Sequence, residues 1–93
     1  MLKCVVELFG MPQEITGLRE VGLELKDGAS LEDVIATLRR KIPTLAGYAF
    51  HAGEDRLMGH YGFNIGGHFY LDGDELQLQD GDHMVLLPLA AGG

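Results

Sequence analysis

The residues best suited to chemistry stand at the end of the chain: Leu89-Ala90-Ala91-Gly92-Gly93. They are small, and they follow an apolar run over residues 84–89 that reads as a strand able to anchor them. Five extended residues reach about 16 Å beyond a fold. Lacking a Cβ, Gly92 and Gly93 can thread a narrow cleft and present one unhindered carboxylate to another protein's active site. A chain end frays by default, so the glycine pair gains meaning only from the elements before it.

Other reactive residue types form no comparable constellation. His51, His60, His68 and His83 match none of the close-pair zinc spacings and read as surface or partly satisfied side chains, so no metal is expected. Asp72-Gly73-Asp74 and Asp80-Gly81-Asp82 lack the bidentate Glu of a calcium loop and read as turns. Cys4 is the only cysteine, which excludes an intramolecular disulfide and a four-cysteine iron–sulfur cage. Its alternating neighbours place it on a core face, where a thiol is inert. Gly66-Gly67 is too short for a phosphate loop and precedes no helix. With no nucleophile–base pair and no metal set, an independent enzyme is not expected.

The 93 residues fit one domain. A content of 46% hydrophobic and 23% charged residues is that of a globular chain. A net charge of −7, with seven scattered Lys and Arg, argues against nucleic acid, which demands a basic stripe. An acidic domain suits a basic protein partner, although the charge also serves solubility. No apolar run approaches the ~20 residues that span a bilayer, and the N-terminus lacks signal-peptide regions. The expected compartment is the cytoplasm.

The elements that must position the tail follow from periodicity. Leu2, Cys4, Val6 and Leu8 share one face of a first strand, and Lys3, Val5, Glu7 and Phe9 share the other. Residues 10–17 are rich in turn formers and predict a short loop, after which residues 18–25 return as the second strand of a hairpin. Ser30 is a good N-cap and Asp33 favours a helix N-terminus. Leu31, Val34, Ile35, Leu38 and Ile42 form one apolar stripe. Arg39, Arg40 and Lys41 complement the helix dipole, and Pro43 stops the helix. Residues 47–59 predict a long loop with a short strand at residues 48–51. Strands follow at 61–65, 68–71 and 83–89. A helix on one face of a mixed sheet is an α+β arrangement in which the first and last strands can lie side by side. The last strand is apolar on both faces, so Val85 and Leu87, with Val5 and Phe9, are expected on an open face, a candidate partner surface extended by Leu89.

The run Leu78-Gln79-Asp80-Gly81-Asp82-His83-Met84-Val85-Leu86-Leu87-Pro88-Leu89-Ala90-Ala91-Gly92-Gly93 resembles the end of the MoaD/ThiS family of ubiquitin-like sulfur carriers. The resemblance extends to Glu7-Leu8-Phe9-Gly10, to Ser30-Leu31-Glu32-Asp33-Val34 and to Asn64 before a turn. It implies a β-grasp domain over residues 1–88, with four to five strands and one main helix, and a flexible tail over 89–93. It also implies that an ATP-dependent activating enzyme adenylates the Gly93 carboxylate, and that a sulfur donor then converts it to a thiocarboxylate. No cofactor is bound by the carrier itself. The tail residues Ala90, Ala91 and Gly92 would enter the partner's site. Pro88 brings the chain nearest to the small subunit of molybdopterin synthase, which makes a sulfur-accepting large subunit the second partner. Leu89 stands where that branch commonly has a second proline. A thiamine-type or other sulfur carrier, a modifier joined to lysines, and a plain β-grasp interaction module are the alternatives.

Overall fold

The computed structural model describes residues 1–51, 53–58, 61–71 and 74–88. Strand β1 (Leu2–Leu8) is followed by helix α1 (Met11–Thr16), strand β2 (Glu20–Leu25), helix α2 (Leu31–Lys41), a 3-10 turn (Pro43–Leu45), and strands β3 (Tyr61–Ile65), β4 (His68–Tyr70) and β5 (His83–Pro88). The five strands form one mixed sheet in the order β2-β1-β5-β3-β4. β5 runs parallel to β1 and antiparallel to β3, so the first and last strands share the sheet centre. With α2 across one face, this is the β-grasp arrangement.

Register sets what each face carries. Cys4 lies opposite Leu23 and Val6 opposite Val21 on one side. Val6 lies opposite Met84 and Leu8 opposite Leu86 on the other, and Phe63 faces Leu86 from β3. These side chains meet Leu31, Val34, Ile35 and Leu38 of α2 in one buried core. Each large apolar side chain so buried contributes roughly 1.5–3 kcal/mol. Helix α2 is closed by a capping box: Asp33 N–H donates to Ser30 Oγ at 3.2 Å, and Ser30 N–H donates to Asp33 Oδ2 at 2.9 Å. The basic residues of its last turn also tie it down. Arg39 pairs with Asp55 at 2.7 Å, and Lys41 Nζ donates to the Gly22 carbonyl on the outer edge of β2 at 2.8 Å.

Three expectations need correction. Residues 10–17 are not a loop but carry α1. Pro12 occupies the first turn, where its missing N–H costs nothing, and Gly17 takes the left-handed cap (φ 73°) and donates to the Gln13 carbonyl. The second strand begins at Glu20, and Leu18 lies before it, exposed. Residues 48–51 form no strand; Phe50 makes single pairings with Ala46 and Leu57 instead. The stretch from Leu45 to Leu57 nonetheless completes the core, since Leu45, Ala49, Phe50 and Leu57 are buried. Backbone bonds from Met58 N–H to Ala49 and from His51 N–H to Arg56 hold it there.

Candidate functional site

Strand β5 leads to the tail, and both of its ends are fixed to β1. At its start, the Asp80-Gly81-Asp82 turn clamps the neighbouring strand. Lys3 N–H donates to Asp80 Oδ1 at 2.8 Å, Gly81 N–H to the Lys3 carbonyl at 2.8 Å, and Val5 N–H to the Asp82 carbonyl at 3.0 Å. Asp82 Oδ2 accepts from Gln79 N–H at 2.8 Å and stiffens the turn itself. At its other end, Phe9 N–H donates to the Leu86 carbonyl at 3.1 Å. The chain then leaves the ladder at Gly10, whose φ of 74° and ψ of −135° are open to glycine and strained for other residues. The register of the parallel pair brings Gly10 beside Pro88. A Cβ on Gly10 would lie 3.5 Å from Pro88 Cδ and 3.6 Å from its Cγ. Pro88 has no N–H with which to continue pairing. Leu89, Ala90, Ala91, Gly92 and Gly93 lie outside the described residues.

The face of β5 away from the core carries His83, Val85 and Leu87. Val5 stands opposite His83, Glu7 opposite Val85, Asn64 opposite Val85 and Gly62 opposite Leu87. Val5, Val85 and Leu87 are half-buried, and Phe9, just past β1, is 59% exposed. Sequence reasoning brought those four together; the register adds Phe69 of β4, exposed and paired with Asn64. The three residues of β4 have no phase of their own, so only pairing reveals Phe69. The fifth expected member, Leu89, falls outside the described residues. Acidic groups border this surface. Glu7 lies opposite Glu20, and Glu24 opposite Lys3. Two like charges facing each other across a strand pair are unfavourable. His83 Nε2 lies 3.5 Å from Glu7 Oε2.

Several other reactive groups take part in the fold itself. Cys4 is buried, and burial pushes its thiol pKa up, with the negative charges of Asp82 and Asp80 adding to the shift. A thiol so disfavoured as thiolate is a poor nucleophile. Burial likewise raises the Tyr61 phenol. His68 packs against Tyr70 with ring centroids 4.7 Å apart. Asn64 Oδ1 accepts from Gly67 N–H and closes the Gly66-Gly67 turn. Asp74 Oδ2 accepts from Leu71 N–H, while Asp72, Gly73 and His60 lie outside the described residues. Among the described residues, no group of three or more His, Cys, Asp or Glu side chains could hold a metal ion. No described helix is long and apolar enough to cross a membrane.

The comparisons with known proteins extend these observations. The model of the ThiS family matches residues 6–93. A molybdopterin synthase sulfur carrier subunit from Chlamydomonas reinhardtii is 29% identical over 85 residues, covering 91% of this chain and 92% of that protein. The solution structure of small archaeal modifier protein 1 from Methanosarcina acetivorans superposes with a TM-score of 0.77 at 30% identity, covering 100% of this chain and 98% of that one. The crystal structure of SAMP1 from Haloferax volcanii shares the fold, with a TM-score of 0.79 at 24% identity over 98% of this chain and 99% of that one.

Proposed function

The chain belongs to the ThiS family, and from that premise we propose that it is a sulfur carrier whose Gly93 carboxylate is adenylated by an activating enzyme and converted to a thiocarboxylate. The observation that carries this reading is the family match itself, which runs through the final Gly92-Gly93. The chemistry is coherent. A carboxylate resists nucleophiles until it holds a good leaving group, so ATP must first convert it to an acyl adenylate with release of pyrophosphate. The terminal sulfur of a donor persulfide then attacks the acyl carbon and AMP departs. The acyl disulfide so formed still holds the donor's second sulfur, and a thiol must cleave it to free the thiocarboxylate. That anion has a soft, nucleophilic sulfur, ready for transfer. Catalytic groups come from the partners, consistent with the inert Cys4. The sulfur donor and ATP belong to the activating enzyme's reaction, not to a site on this chain.

The similarity to a molybdopterin synthase sulfur carrier subunit favours molybdopterin synthesis, with a large synthase subunit as acceptor, over a thiamine-type or other sulfur pathway. The open sheet face is the proposed docking surface. Phe9, Val85, Leu87 and Leu89 would supply the apolar contact, and a basic partner would relieve the facing Glu7 and Glu20. The test is intact mass after incubation with the cognate activating enzyme, ATP and a persulfide donor. The mass should rise by the difference between sulfur and oxygen, and deletion of Gly93 should abolish the rise while the fold persists. An unchanged mass with every adenylating enzyme of the source cell would overturn the reading.

A second reading, a modifier joined to lysines, is favoured by the 30% identity with small archaeal modifier protein 1. The same adenylate would serve there, with a lysine amine as final nucleophile. A ladder of covalent conjugates in lysate that disappears on deletion of Gly93 would identify it. If trimming Gly92 and Gly93 changed nothing, the chain would be a plain interaction module.

A further inference from the structure

We propose that Lys41 closes the free edge of the sheet, so that β2 does not pair with β2 of a second copy of this chain. Among the described residues, β2 is the outermost strand on its side and pairs with β1 alone. Leu8 N–H donates to the Arg19 carbonyl at 2.7 Å, which fixes the phase of that ladder. Val21, Leu23 and Leu25 therefore turn their backbone groups toward β1, and Glu20, Gly22 and Glu24 turn theirs outward. Such a row of unpaired N–H and C=O groups is a template for another strand. Gly22 stands in the middle of the row. It is exposed, and nothing lies within 4 Å of the place a Cβ would take, so no side chain of its own shields the carbonyl. Lys41, in the last turn of α2, supplies the shield: its Nζ donates to the Gly22 carbonyl at 2.8 Å. An incoming strand would have to displace this ammonium or bury it between two backbones, and a charge buried without a partner is costly.

The charges along β2 identify the occupant that is kept away. In the antiparallel register that pairs all of the outward residues, Gly22 meets Gly22 of the second copy and each Glu20 meets a Glu24. Both glutamates are exposed, and like charges directly opposite each other are destabilising. The acidic pattern and Lys41 thus act in the same direction, against an identical edge. Fastening the helix does not by itself require Lys41, because Arg39 of the same turn already joins α2 to Asp55 at 2.7 Å. The two roles separate in experiment: a fastener sets stability, whereas an edge guard sets association.

The experiment is sedimentation equilibrium of the full chain, unaltered and as Lys41→Met, Glu20→Lys and the double variant. Lys41→Met keeps the apolar stem and removes the donor. Glu20→Lys turns the repulsion across the pairing register into attraction, and it also relieves Glu7, which lies opposite Glu20 within the chain. The unaltered chain should stay monomeric up to about 1 mM. The double variant should dimerise at least about tenfold more tightly than Glu20→Lys alone. Amide hydrogen exchange then locates the contact. The amides at positions 20, 22 and 24 should exchange freely in the unaltered chain and slow at least about tenfold in the dimer. Lys41→Met dimerising as tightly as the double variant would support the proposal too, with Lys41 acting alone. A monomeric double variant would overturn it. So would a dimer whose amides at those positions exchange as freely as before, since another surface would then be joined. Glu20→Lys pairing as tightly as the double variant would show that Lys41 obstructs nothing. A Lys41→Met chain that unfolds, or that loses stability without associating, would assign Lys41 to fastening α2 and overturn the proposal as well.

Discussion

Alternate residues of one strand live in two different environments. Met84 and Leu86 of β5 point beneath the sheet and are fully buried between Val6, Leu8 and Phe63. Val85 and Leu87, each one residue away, point above it and stay half-buried beside Glu7, Asn64 and Gly62. Both pairs are aliphatic, so composition does not separate them. What separates them is that α2 covers one face and nothing among the described residues covers the other. The same strand thus carries stability on one side and a half-buried apolar surface on the other, the face proposed above for docking.

Substitution on the covered face should have the largest effect. Leu86→Ala removes a fully buried side chain flanked by Leu8 and Phe63, and should cost about 2–5 kcal/mol in denaturant unfolding. Against a total of about 5–15 kcal/mol that is a large share. Its neighbour should behave oppositely. Leu87→Lys should change stability by about 1 kcal/mol or less. It should weaken binding to the activating enzyme or synthase partner at least tenfold, about 1.4 kcal/mol. If Leu87→Lys unfolded the domain, the open face would have to be counted as core and the comparison would collapse.

How much of this was legible in the sequence depended on whether a segment has a period. The two faces of β1 and β5 and the stripe of α2 follow from alternation and from 3.6-residue spacing, and their pairing at the sheet centre followed from the order of elements. Helix α1 was hidden because six residues show barely two turns of a pattern. Gly10, Pro12 and Gly17 bracket a short helix with the same residue types that make a loop. Residues 45–57 were hidden for a different reason. Phe50 and Leu57 enter the core from irregular backbone, where no spacing announces which side chain turns inward. Of the candidate site, the apolar members on β1 and β5 were readable, whereas Phe69, the facing Glu7 and Glu20, and the seat of Pro88 against Gly10 exist only through register. The chemistry proposed for the tail rests on terminal residue types, not on packing, and Leu89 to Gly93 lie outside the described residues.

The cover itself can be weakened without touching the sheet. Ser30→Ala removes the capping box of α2 and should cost about 1 kcal/mol. The box also makes the covered face sensitive to acid. The bond from Ser30 N–H, the main cause, holds the Asp33 carboxyl below the usual aspartate range. A carboxylate depressed in the folded state stabilises the fold above its unfolded pKa and loses that contribution as pH falls through its folded value. The advantage of the unaltered chain over Asp33→Asn should therefore be full near neutrality and fade below about pH 4. Thermal melts of the two chains across pH 3–7 measure it. An advantage that persisted at the acid end would assign it to packing and not to charge.

The smallest effect should come from charge on the open face. Glu7 has two opposing neighbours: His83 at 3.5 Å attracts it when protonated, and Glu20 directly across the strand pair repels it. All three are at least partly exposed, so each interaction is screened. Glu7→Gln should therefore shift stability by less than about 0.5 kcal/mol, with the two neighbours partly cancelling. Association should respond more than stability does. Removing one carboxylate from a net charge of −7, at the border of the proposed docking face, should slow encounter with a basic partner and flatten its dependence on salt. Stopped-flow association rates at two ionic strengths, beside a denaturant curve, read both quantities on one variant. A stability loss above about 1 kcal/mol with an unchanged association rate would invert the expectation. It would mean that the polar residues of the open face serve the fold, and that the division of labour between the two faces stops at their apolar members.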